Sequence, residues 1–425
     1  MFICGIAHRK ADAMNYFEYR DGELWVEGIR VGDLAERFGT PLYVYSARTL
    51  RRHYRAFDTA LEELNHLTCF SVKANSNLIL LRLLGNLGAG VDIVSGGELH
   101  RALTAGIDPH KIVFSGVGKQ SHEIREALAA DILMFNVESV QELKQIGRIA
   151  AEMNTPARIS IRINPDVDPE THPYISTGLK KNKFGLDMLE ATGAYLLAKE
   201  TPSVDPVGMD CHIGSQLTRI GPFVEALEKL LVFADRLHAS GVDIRYLDLG
   251  GGLGIIYNEE APPLPADLGR AIADTLAGRD LTVIQEPGRA IAGNAGILVS
   301  RVLYTKKTRA KNFVIVDAAM NDLVRPSLYG AYHRIGEVNR MGRKPMKVDV
   351  VGPICESSDF LAQDRLLPAI EPGEYLAVFS AGAYGFTMSS QYNSRLRAAE
   401  VIVDGDRVTL ARRRETYEDL VALEI

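Results

Sequence analysis

The sequence predicts an α/β protein, a closed (β/α)8 TIM barrel followed by a β-rich domain. Between residues 67 and 287, short apolar runs alternate eight times with amphipathic stretches of helical length. Strands that alternate with helices form right-handed parallel βαβ units. Polar residues also cluster at the carboxyl ends of nearly all eight runs. An open doubly wound sheet is the alternative, but it would gather its polar residues at one crossover point, so the barrel is favoured.

The eight predicted strands are short and apolar. In chain order they are LTCFSV (67–72), GVDIV (90–94), KIVFS (111–115), ILMFNV (132–137), ARISIRI (157–163), PVGMDCHI (206–213), RYLDLG (245–250) and LTVIQE (281–286). Helical patterns such as GELHRALTAG and FVEALEKLLVFADRLHAS lie between them. Eight repeats of this kind predict a closed barrel.

The two flanks of the barrel have a different pattern. Residues 15–31 predict a hairpin, because FEYR and ELWVEGIRV alternate apolar positions around the turn dipeptide Asp21-Gly22. Beyond residue 290 the chain is strand-rich, with GILVSRVLYTKK, NFVIVDA, KVDVVG, EYLAVFSAG and AAEVIVDGDRVTLARR. We therefore expect a sandwich- or barrel-like β-domain that the N-terminal segment completes. The expected segments are an N-terminal extension at 1–13, a part of the β-domain at 14–45, the barrel at 46–289 and the C-terminal β-domain at 290–425.

Length, charge and cysteine usage exclude several classes of function. A chain of 425 residues is too long for one typical core. The net charge of −6 comes without a basic tract, so we expect no nucleic-acid partner. No apolar stretch reaches the roughly 18 residues that a membrane span needs. The four cysteines have neither paired spacing nor a zinc pattern, which predicts a reduced, cytoplasmic enzyme without a metal site.

Lys73 lies at the end of the first predicted strand, in the segment FSVKAN. Burying an ammonium group is costly unless it is paired or chemically used. Desolvation also lowers the pKa of a lysine, which makes the amine available for Schiff-base chemistry. A strand-end lysine that reaches back to water is the simpler interpretation. The residues at the other strand ends favour the interpretation of Lys73 as a Schiff-base lysine.

The carboxyl ends of the other predicted strands carry polar residues or glycines. In order they are Asp92, Ser115, Asn136, Arg162 with Asn164, His212, Gly250 to Gly252, and Glu286. In a barrel these ends meet on one face, where active sites are found. We therefore expect Lys73 and these residues to form one site.

Three of these strand ends match the needs of one cofactor. LDLGGGLG (247–254) offers backbone N–H groups after strand seven, where barrels often bind phosphate, although a tight turn would also explain it. EPGR (286–289) supplies a carboxylate for a pyridine nitrogen, although a surface Glu–Arg pair is the alternative. HIGSQ (212–216) adds an imidazole, which by itself is more often a core histidine. Together with the amine of Lys73, these groups predict a pyridoxal phosphate site.

These motifs resemble those of the group-four pyridoxal-phosphate decarboxylases, which have the alanine-racemase-type barrel. FSVKAN, DIVSGGEL (92–99), HIGSQ, LDLGGGLG and EPGR match that group. Within it, the chain is most similar to the diaminopimelate decarboxylase family. The segments that carry this similarity are TGLKKNKFGL (177–186), RPSLYGAYH (325–333), GPICESSDFLA (352–362), AGAYGFTMSSQYNSR (381–395) and RRRETYEDL (412–420). The resemblance covers the chain from about Met14 to the C-terminus.

The resemblance implies which residues bind pyridoxal 5′-phosphate. They are Lys73, Asp92, His212, Ser215, Gly251, Gly252, Glu286, Pro287, Gly288, Arg289 and Tyr384. Lys73 would form the Schiff base, His212 would stack on the pyridine ring, and Glu286 would pair with the pyridine nitrogen. Ser215 and the glycines at 251–252 would bind the phosphate.

The resemblance also implies the substrate, meso-2,6-diaminopimelate, which would lose CO2 from its D-centre to give L-lysine in the last step of lysine biosynthesis. The implied substrate-binding residues are Arg289, Arg325, Tyr329, Glu356 and Tyr384. Cationic and anionic side chains suit the distal carboxylate and ammonium. With Lys73 and His212, the third catalytic residue would be Cys355, a proton donor that acts across a homodimer interface. A small buried hydrophobe is the alternative for Cys355, and one face of a helical turn is the alternative for Arg325 and Tyr329.

Three other functions stay open at this point. A racemase on the same barrel would need a second acid–base group on the opposite face of the cofactor, and Cys355 could serve as that group. A decarboxylase of ornithine or carboxynorspermidine would have less use for Arg325, since those substrates lack a distal carboxylate. A non-catalytic regulator would be expected to have lost Lys73 or the phosphate glycines, and both are present.

Overall fold

The computed structural model describes residues 15–168, 183–276 and 278–425. They form two compact units. The first unit comprises His53–Ile255 and Ala261–Ala290, and the second combines the described residues up to Arg52 with Ile256–Glu260 and Ile291–Ile425. The extension expected at 1–13 and residues 177–182 of the segment TGLKKNKFGL lie outside the described residues.

The described chain begins with a small hairpin sheet of the second unit. The first elements of the chain are strands β1 (Phe17–Arg20), β2 (Glu23–Val26), β3 (Ile29–Arg30) and β4 (Leu42–Ser46) and helices α1 (Val31–Phe38) and α2 (Ala47–Asp58). Strands β1, β2 and β3 form the hairpin sheet. Strands β1 and β2 pair antiparallel. Asp21 and Gly22 between them have φ values of 48° and 87°, as a two-residue hairpin turn requires. The predicted hairpin is confirmed.

Eight parallel strands form the closed barrel of the first unit. They are β5 (His66–Ser71), β6 (Gly90–Ile93), β7 (Ile112–Phe114), β8 (Met134–Val137), β9 (Ala157–Arg162), β10 (Val204–Asp210), β11 (Tyr246–Asp248) and β12 (Thr282–Gln285). Each strand pairs with the next, and β12 pairs with β5 to complete the ring. The predicted (β/α)8 barrel is confirmed.

Helices connect consecutive barrel strands. In the described residues they are α3 (Leu78–Gly85), α4 (Gly96–Ala105), α5 (Ser121–Ala129), α6 (Val140–Met153), α7 (Met188–Glu200), α8 (Gly221–Ala239) and α9 (Pro265–Leu276). The side chains of Asn77, Ser95 and Ser139 cap helices α3, α4 and α6. Such caps fix where each helix begins, so the residues between a strand and its cap lie at the carboxyl end of the barrel. Among the described residues, no helix is long and apolar enough to cross a membrane.

The remaining elements follow the barrel in sequence. They are strands β13 (Gly296–Lys307), β14 (Asn312–Val316), β15 (Ile335–Glu337), β16 (Pro345–Val351), β17 (Phe360–Pro368), β18 (Tyr375–Val378), β19 (Ala399–Asp404) and β20 (Arg407–Arg412), with short helices α10 (Arg289–Ala292), α11 (Arg325–Tyr329) and α12 (Tyr417–Val421). With β4, these strands form a nine-stranded, mostly antiparallel sheet.

Both chain ends build this β unit. Strand β4 lies in the sheet between β13 and β19. A single apolar core joins residues of the N-terminal hairpin to residues of the later strands, and it includes Phe17, Val26, Leu42, Val299 and Val401. Burial of such residues is the main favourable contribution to folding. The expectation of a β-domain completed by the N-terminal segment is confirmed.

Seven of the eight barrel strands end one to three residues earlier than predicted, and β8 ends at the predicted residue, Val137. Strand β5 ends at Ser71, and a 3-10 turn over Val72–Ala74 carries Lys73. Strand β10 ends at Asp210 rather than at residue 213, because its neighbour β11 ends at Asp248, directly opposite. Lys73 and the segment that follows β10 therefore lie in loops above the barrel strands.

Candidate active site

Lys73 is bound at the barrel mouth by a buried carboxylate. Its Nζ donates to Oδ2 of Asp92, a fully buried residue of β6. The Ser71 hydroxyl also donates to Asp92 Oδ2, over 2.8 Å. About a third of the Lys73 side chain, 37%, is exposed, so the amine is accessible while its charge is paired. This arrangement suits a lysine that reacts with an aldehyde.

Three further buried carboxyl groups lie at the carboxyl ends of strands β10, β11 and β12. Burial, and then the neighbouring charge of Asp248, raise the pKa values of Asp210 and Glu286 well above their ordinary range. Burial also raises the pKa of Asp248 to about 6, although Asn136 donates to Asp248 Oδ2 over 3.0 Å and opposes the rise. These carboxyl groups hold protons more readily than exposed ones, and a nearby cation would favour their ionised form.

Glu286 is the carboxyl group best suited to a cofactor. The residue is 6% exposed, and its Oε1 has no hydrogen-bond partner among the residues that the structure describes. A buried acceptor without a donor is costly, so such atoms commonly mark a ligand position. A protonated ring nitrogen would supply both the missing donor and a compensating charge.

The loop after β11 requires glycine at successive positions. The φ angle is +62° at Gly250 and +123° at Gly252, in the region that favours glycine. A Cβ at Gly251 would lie 2.3 Å from the carbonyl oxygen of Glu286, and one at Gly252 would lie 2.6 Å from that of Gly214. A loop without side chains lets a phosphate approach the backbone N–H groups.

His212 lies beside this loop and is oriented by it. The Gly251 N–H donates to His212 Nδ1 over 3.2 Å, so Nδ1 accepts and the ring proton is on Nε2. The residue is half-buried, and burial lowers the pKa of His212 well below its ordinary value. The charges of Arg162 and Lys73 lower it further. A neutral imidazole with a fixed orientation suits stacking on an aromatic ring.

The EPGR turn and Ser215 lie on the same side of the barrel mouth. Arg289 is 7% exposed, and its Nη2 donates to the Ser215 hydroxyl over 3.2 Å. A Cβ at Gly288 would lie 2.9 Å from the Cβ atoms of Ala74 and Ser71, so this turn packs directly against the end of β5. The structure thus brings the glycine loop, Ser215 and Arg289 to the strand end that carries Lys73.

These groups fit pyridoxal phosphate. The fit rests on three observations: Oε1 of Glu286 has no partner among the described residues, a Cβ would obstruct the glycine loop, and the accessible amine of Lys73 is paired with Asp92. A cofactor with an aldehyde, a phosphate and a basic ring nitrogen needs these three kinds of partner.

One buried ion pair at the barrel mouth was not predicted. Arg162 was identified as a strand end, but its partner Glu138 was not; Arg162 Nη1 donates to Glu138 Oε1 over 2.8 Å. The other oxygen of Glu138 accepts the N–H of Gly185 over 2.8 Å. Glu138 follows the end of β8 by one residue, so extending the strand-end criterion by one position would have found it.

The other candidate residues lie in the β unit. Cys355 is exposed, on the loop between β16 and β17, and its backbone N–H donates to Asn393 Oδ1 over 2.9 Å. The neighbouring Glu356 accepts a hydrogen bond from the Tyr392 hydroxyl. Residues 392–393 therefore contact the backbone of Cys355 and the carboxylate of Glu356, the two residues that were singled out from the sequence.

Arg325 and Tyr329 lie at the two ends of the short helix α11. Arg325 is 7% exposed, and its guanidinium carbon lies 5.9 Å from the centre of the Tyr329 ring and 5.3 Å from that of Tyr257. Tyr384 has a φ of +55°, a conformation that side chains rarely adopt. Such backbone strain is common in residues at functional sites.

Comparison with known proteins identifies the family. Residues 47–293 match the family model described as "Pyridoxal-dependent decarboxylase, pyridoxal binding domain". Diaminopimelate decarboxylase of Pseudomonas aeruginosa is 56% identical over 411 residues, which cover 97% of this chain and 99% of that protein. The crystal structure of diaminopimelate decarboxylase from Helicobacter pylori, complexed with L-lysine, superposes with a TM-score of 0.90 at 47% identity, over 92% of this chain and 98% of that one.

A second solved structure extends the similarity. Diaminopimelate decarboxylase from M. jannaschii, in complex with L-lysine, superposes with a TM-score of 0.92 at 42% identity, over 96% of this chain and 97% of that one. The similarity thus spans both units and exceeds by far what a shared fold alone produces. The chain therefore belongs to the pyridoxal-dependent decarboxylases, as a member of the diaminopimelate decarboxylase family.

Proposed function

We propose that this chain decarboxylates meso-2,6-diaminopimelate at its D-centre to give L-lysine and CO2, the last step of lysine biosynthesis. The proposal rests on two features of the barrel mouth. Asp92 binds the amine of Lys73, and the buried Oε1 of Glu286 has no partner among the described residues. Membership of the diaminopimelate decarboxylase family supports the choice of substrate.

Pyridoxal 5′-phosphate, when bound, supplies an electron sink for the bond that releases CO2. Lys73 would bind its aldehyde, and Glu286 would keep a proton on its ring nitrogen. Burial strengthens that ion pair, because water does not screen it. His212 would lie on the face of the ring, while Ser215 and loop 250–252 would bind the phosphate.

Charged residues would bind the distal end of the substrate. Arg325, with Arg289 and Tyr329, would bind the carboxylate of the L-centre, and Glu356 would bind its ammonium. Arg325 and Arg289 are both 7% exposed. A substrate without the distal carboxylate would forgo charge-assisted hydrogen bonds in a buried setting, which typically costs 10²-fold or more in discrimination.

We further infer that Cys355 donates a proton in the active site of a partner subunit. The carbon that loses CO2 must gain one proton, and a thiol is an acid of suitable strength. Cys355 is exposed on a loop of the β unit, which makes it available to a second chain. The proposed assembly is a homodimer with shared active sites.

The reaction would take place in the cytoplasm. Within the described residues, Cys69, Cys211 and Cys355 are thiols rather than disulfides. Free thiols persist in reducing compartments.

Product analysis tests the proposal. Purified protein incubated with pyridoxal phosphate and meso-diaminopimelate should release CO2 and L-lysine in equal amounts. We expect kcat/KM to be at least about 10²-fold lower for L-lysine and L-ornithine. A comparable kcat/KM for L-ornithine would favour a broader diamine-forming enzyme. Interconversion of diaminopimelate stereoisomers without release of CO2 would favour a racemase.

Borohydride reduction tests where the cofactor attaches. After reduction and digestion, the label should map to Lys73 alone. Lys119 is an internal control, since it is a fully buried lysine of the same barrel that is paired with Glu142. A label on Lys119 or any other lysine would contradict the site assignment.

A further inference from the structure

His333 is fully buried next to Arg325 and has no role in the function proposed above. Arg325 Nε donates to His333 Nε2 over 3.4 Å. Tyr257 packs edge-on against the imidazole, with ring centroids 5.3 Å apart and planes at 80°. The same Tyr257 ring lies 5.3 Å from the guanidinium carbon of Arg325. The three side chains form one packed cluster in the β unit.

The hydrogen bonds of His333 fix the role of each ring nitrogen. Nδ1 lies 2.9 Å from the carbonyl oxygen of Phe379, which can only accept, so Nδ1 carries the proton. Nε2 faces the Nε–H of Arg325, which can only donate, so Nε2 is the acceptor. The neutral imidazole therefore links a backbone carbonyl to the guanidinium group in one defined direction.

The backbone around this link is anchored in the sheet. Phe379 N donates to the carbonyl oxygen of Arg334 over 2.8 Å, and the ladder between β15 and β18 begins at the next residues. Arg365 of β17 donates to the carbonyl oxygen of His333 over 2.8 Å. Arg325, in contrast, begins a helix of only five residues. The imidazole thus connects a short helix to the hydrogen-bonded strands of the sheet.

We propose that His333 is a positioning residue that orients Arg325 toward the distal carboxylate of the substrate. This inference rests on the proposed function, in which Arg325 binds that carboxylate. Because Nε is bound by His333, the two terminal nitrogens form the edge that is directed at the carboxylate. Bidentate pairing depends on the plane of the guanidinium group, so a loss of orientation weakens binding without changing the charge.

Two variants of His333 separate the role of each nitrogen. His333→Gln places an acceptor near the position of Nε2 and so retains the bond to Arg325. His333→Asn retains a donor near the position of Nδ1, toward Phe379, but removes the acceptor for Arg325. We expect His333→Asn to raise KM for meso-diaminopimelate at least about tenfold with kcat within about threefold, while His333→Gln keeps both within about threefold.

Inhibition by two related ligands provides a readout other than turnover. L-lysine keeps the distal carboxylate of the substrate, whereas 1,5-diaminopentane lacks it. His333→Asn should weaken inhibition by L-lysine at least about tenfold and leave inhibition by 1,5-diaminopentane unchanged. A variant that merely loosens the fold would weaken both ligands equally, and that result would overturn the proposal.

Arg325→Ala distinguishes failure of this inference from failure of the proposed function. If Arg325→Ala leaves L-lysine inhibition unchanged, the carboxylate assignment itself is wrong. If Arg325→Ala weakens it and His333→Asn does not, only the positioning role is wrong. The double variant should be no worse than Arg325→Ala alone. Should His333→Asn fail to fold, His333→Leu removes the same acceptor with an apolar side chain of similar volume, and unchanged L-lysine inhibition in that variant would overturn the proposal.

Discussion

Asp359 organises the loop that carries Cys355, and its removal is a direct test of that geometry. Its Oδ1 accepts the N–H of Met320 and its Oδ2 accepts the N–H of Ile354, each over 2.7 Å. The residue is 4% exposed. Burial raises the pKa of Asp359, while the two N–H donors oppose the rise. One carboxylate therefore joins the loop to the chain around residue 320.

The expected cost of Asp359→Ala follows from these two bonds. A buried N–H that loses its acceptor costs about 1–3 kcal/mol, and the half-buried Met320 N–H lies toward the low end of that range. Together they give about 2–4 kcal/mol of local stability. Asp359→Asn keeps one acceptor but turns an amide N–H2 toward the other donor, so we expect about half that loss.

Amide hydrogen exchange measures the loss at the residues concerned. A local loss of about 2–4 kcal/mol corresponds to roughly 30-fold to 1,000-fold faster exchange at Met320 and Ile354. Turnover should fall as well, because Cys355 lies next to Ile354. Asp364→Asn is the matched control, since Asp364 lies on β17 with its side chain 56% exposed. Exchange in Asp359→Ala that equals the control would refute this account of the loop.

Further predictions concern the cofactor, the assembly and pH. Glu286→Gln should still bind cofactor but lose about 2–4 kcal/mol of transition-state stabilisation, measured as kcat; near-normal turnover would contradict its role at the ring nitrogen. Inactive Lys73→Ala and Cys355→Ala variants, mixed so that subunits exchange, should regain up to about a quarter of dimer activity, and no recovery after verified exchange would exclude a shared site. Burial raises the pKa of Asp322 to about 7. Between about pH 4 and 7 the folded state therefore holds a proton that the unfolded state has lost, so the free energy of unfolding falls as pH rises through that window. Urea titrations at several pH values should show that Asp322→Asn loses up to about 4 kcal/mol of this pH dependence. If the free energy of unfolding falls equally steeply with pH in the variant and in the unmodified protein, the assignment is wrong.

The sequence alone determined the barrel, the β-domain and the motifs of the site. Alternating apolar strands and amphipathic helices are local patterns, and a parallel βαβ arrangement follows from them. The closed barrel then brings the strand ends together, so the positions of Lys73, Asp92 and Glu286 along the chain were enough to assign them to one face. Strands β4, β15 and β17 were not predicted. LYVYS (42–46) and FLAQDRLLP (360–368) lack a clear alternation of apolar and polar residues, and IGE (335–337) is too short to show one.

Only the tertiary structure decided how the site residues are paired. Asn136 donates to Asp248 across 112 positions of sequence, and no local pattern encodes that contact. The raised pKa values of Asp248 and Glu286 likewise come first from burial and then from carboxyl groups on other barrel strands. The bond from His333 to Arg325 depends on which way two buried side chains turn. Spacing along the chain fixes which residues reach one face, but distances and protonation depend on three-dimensional packing.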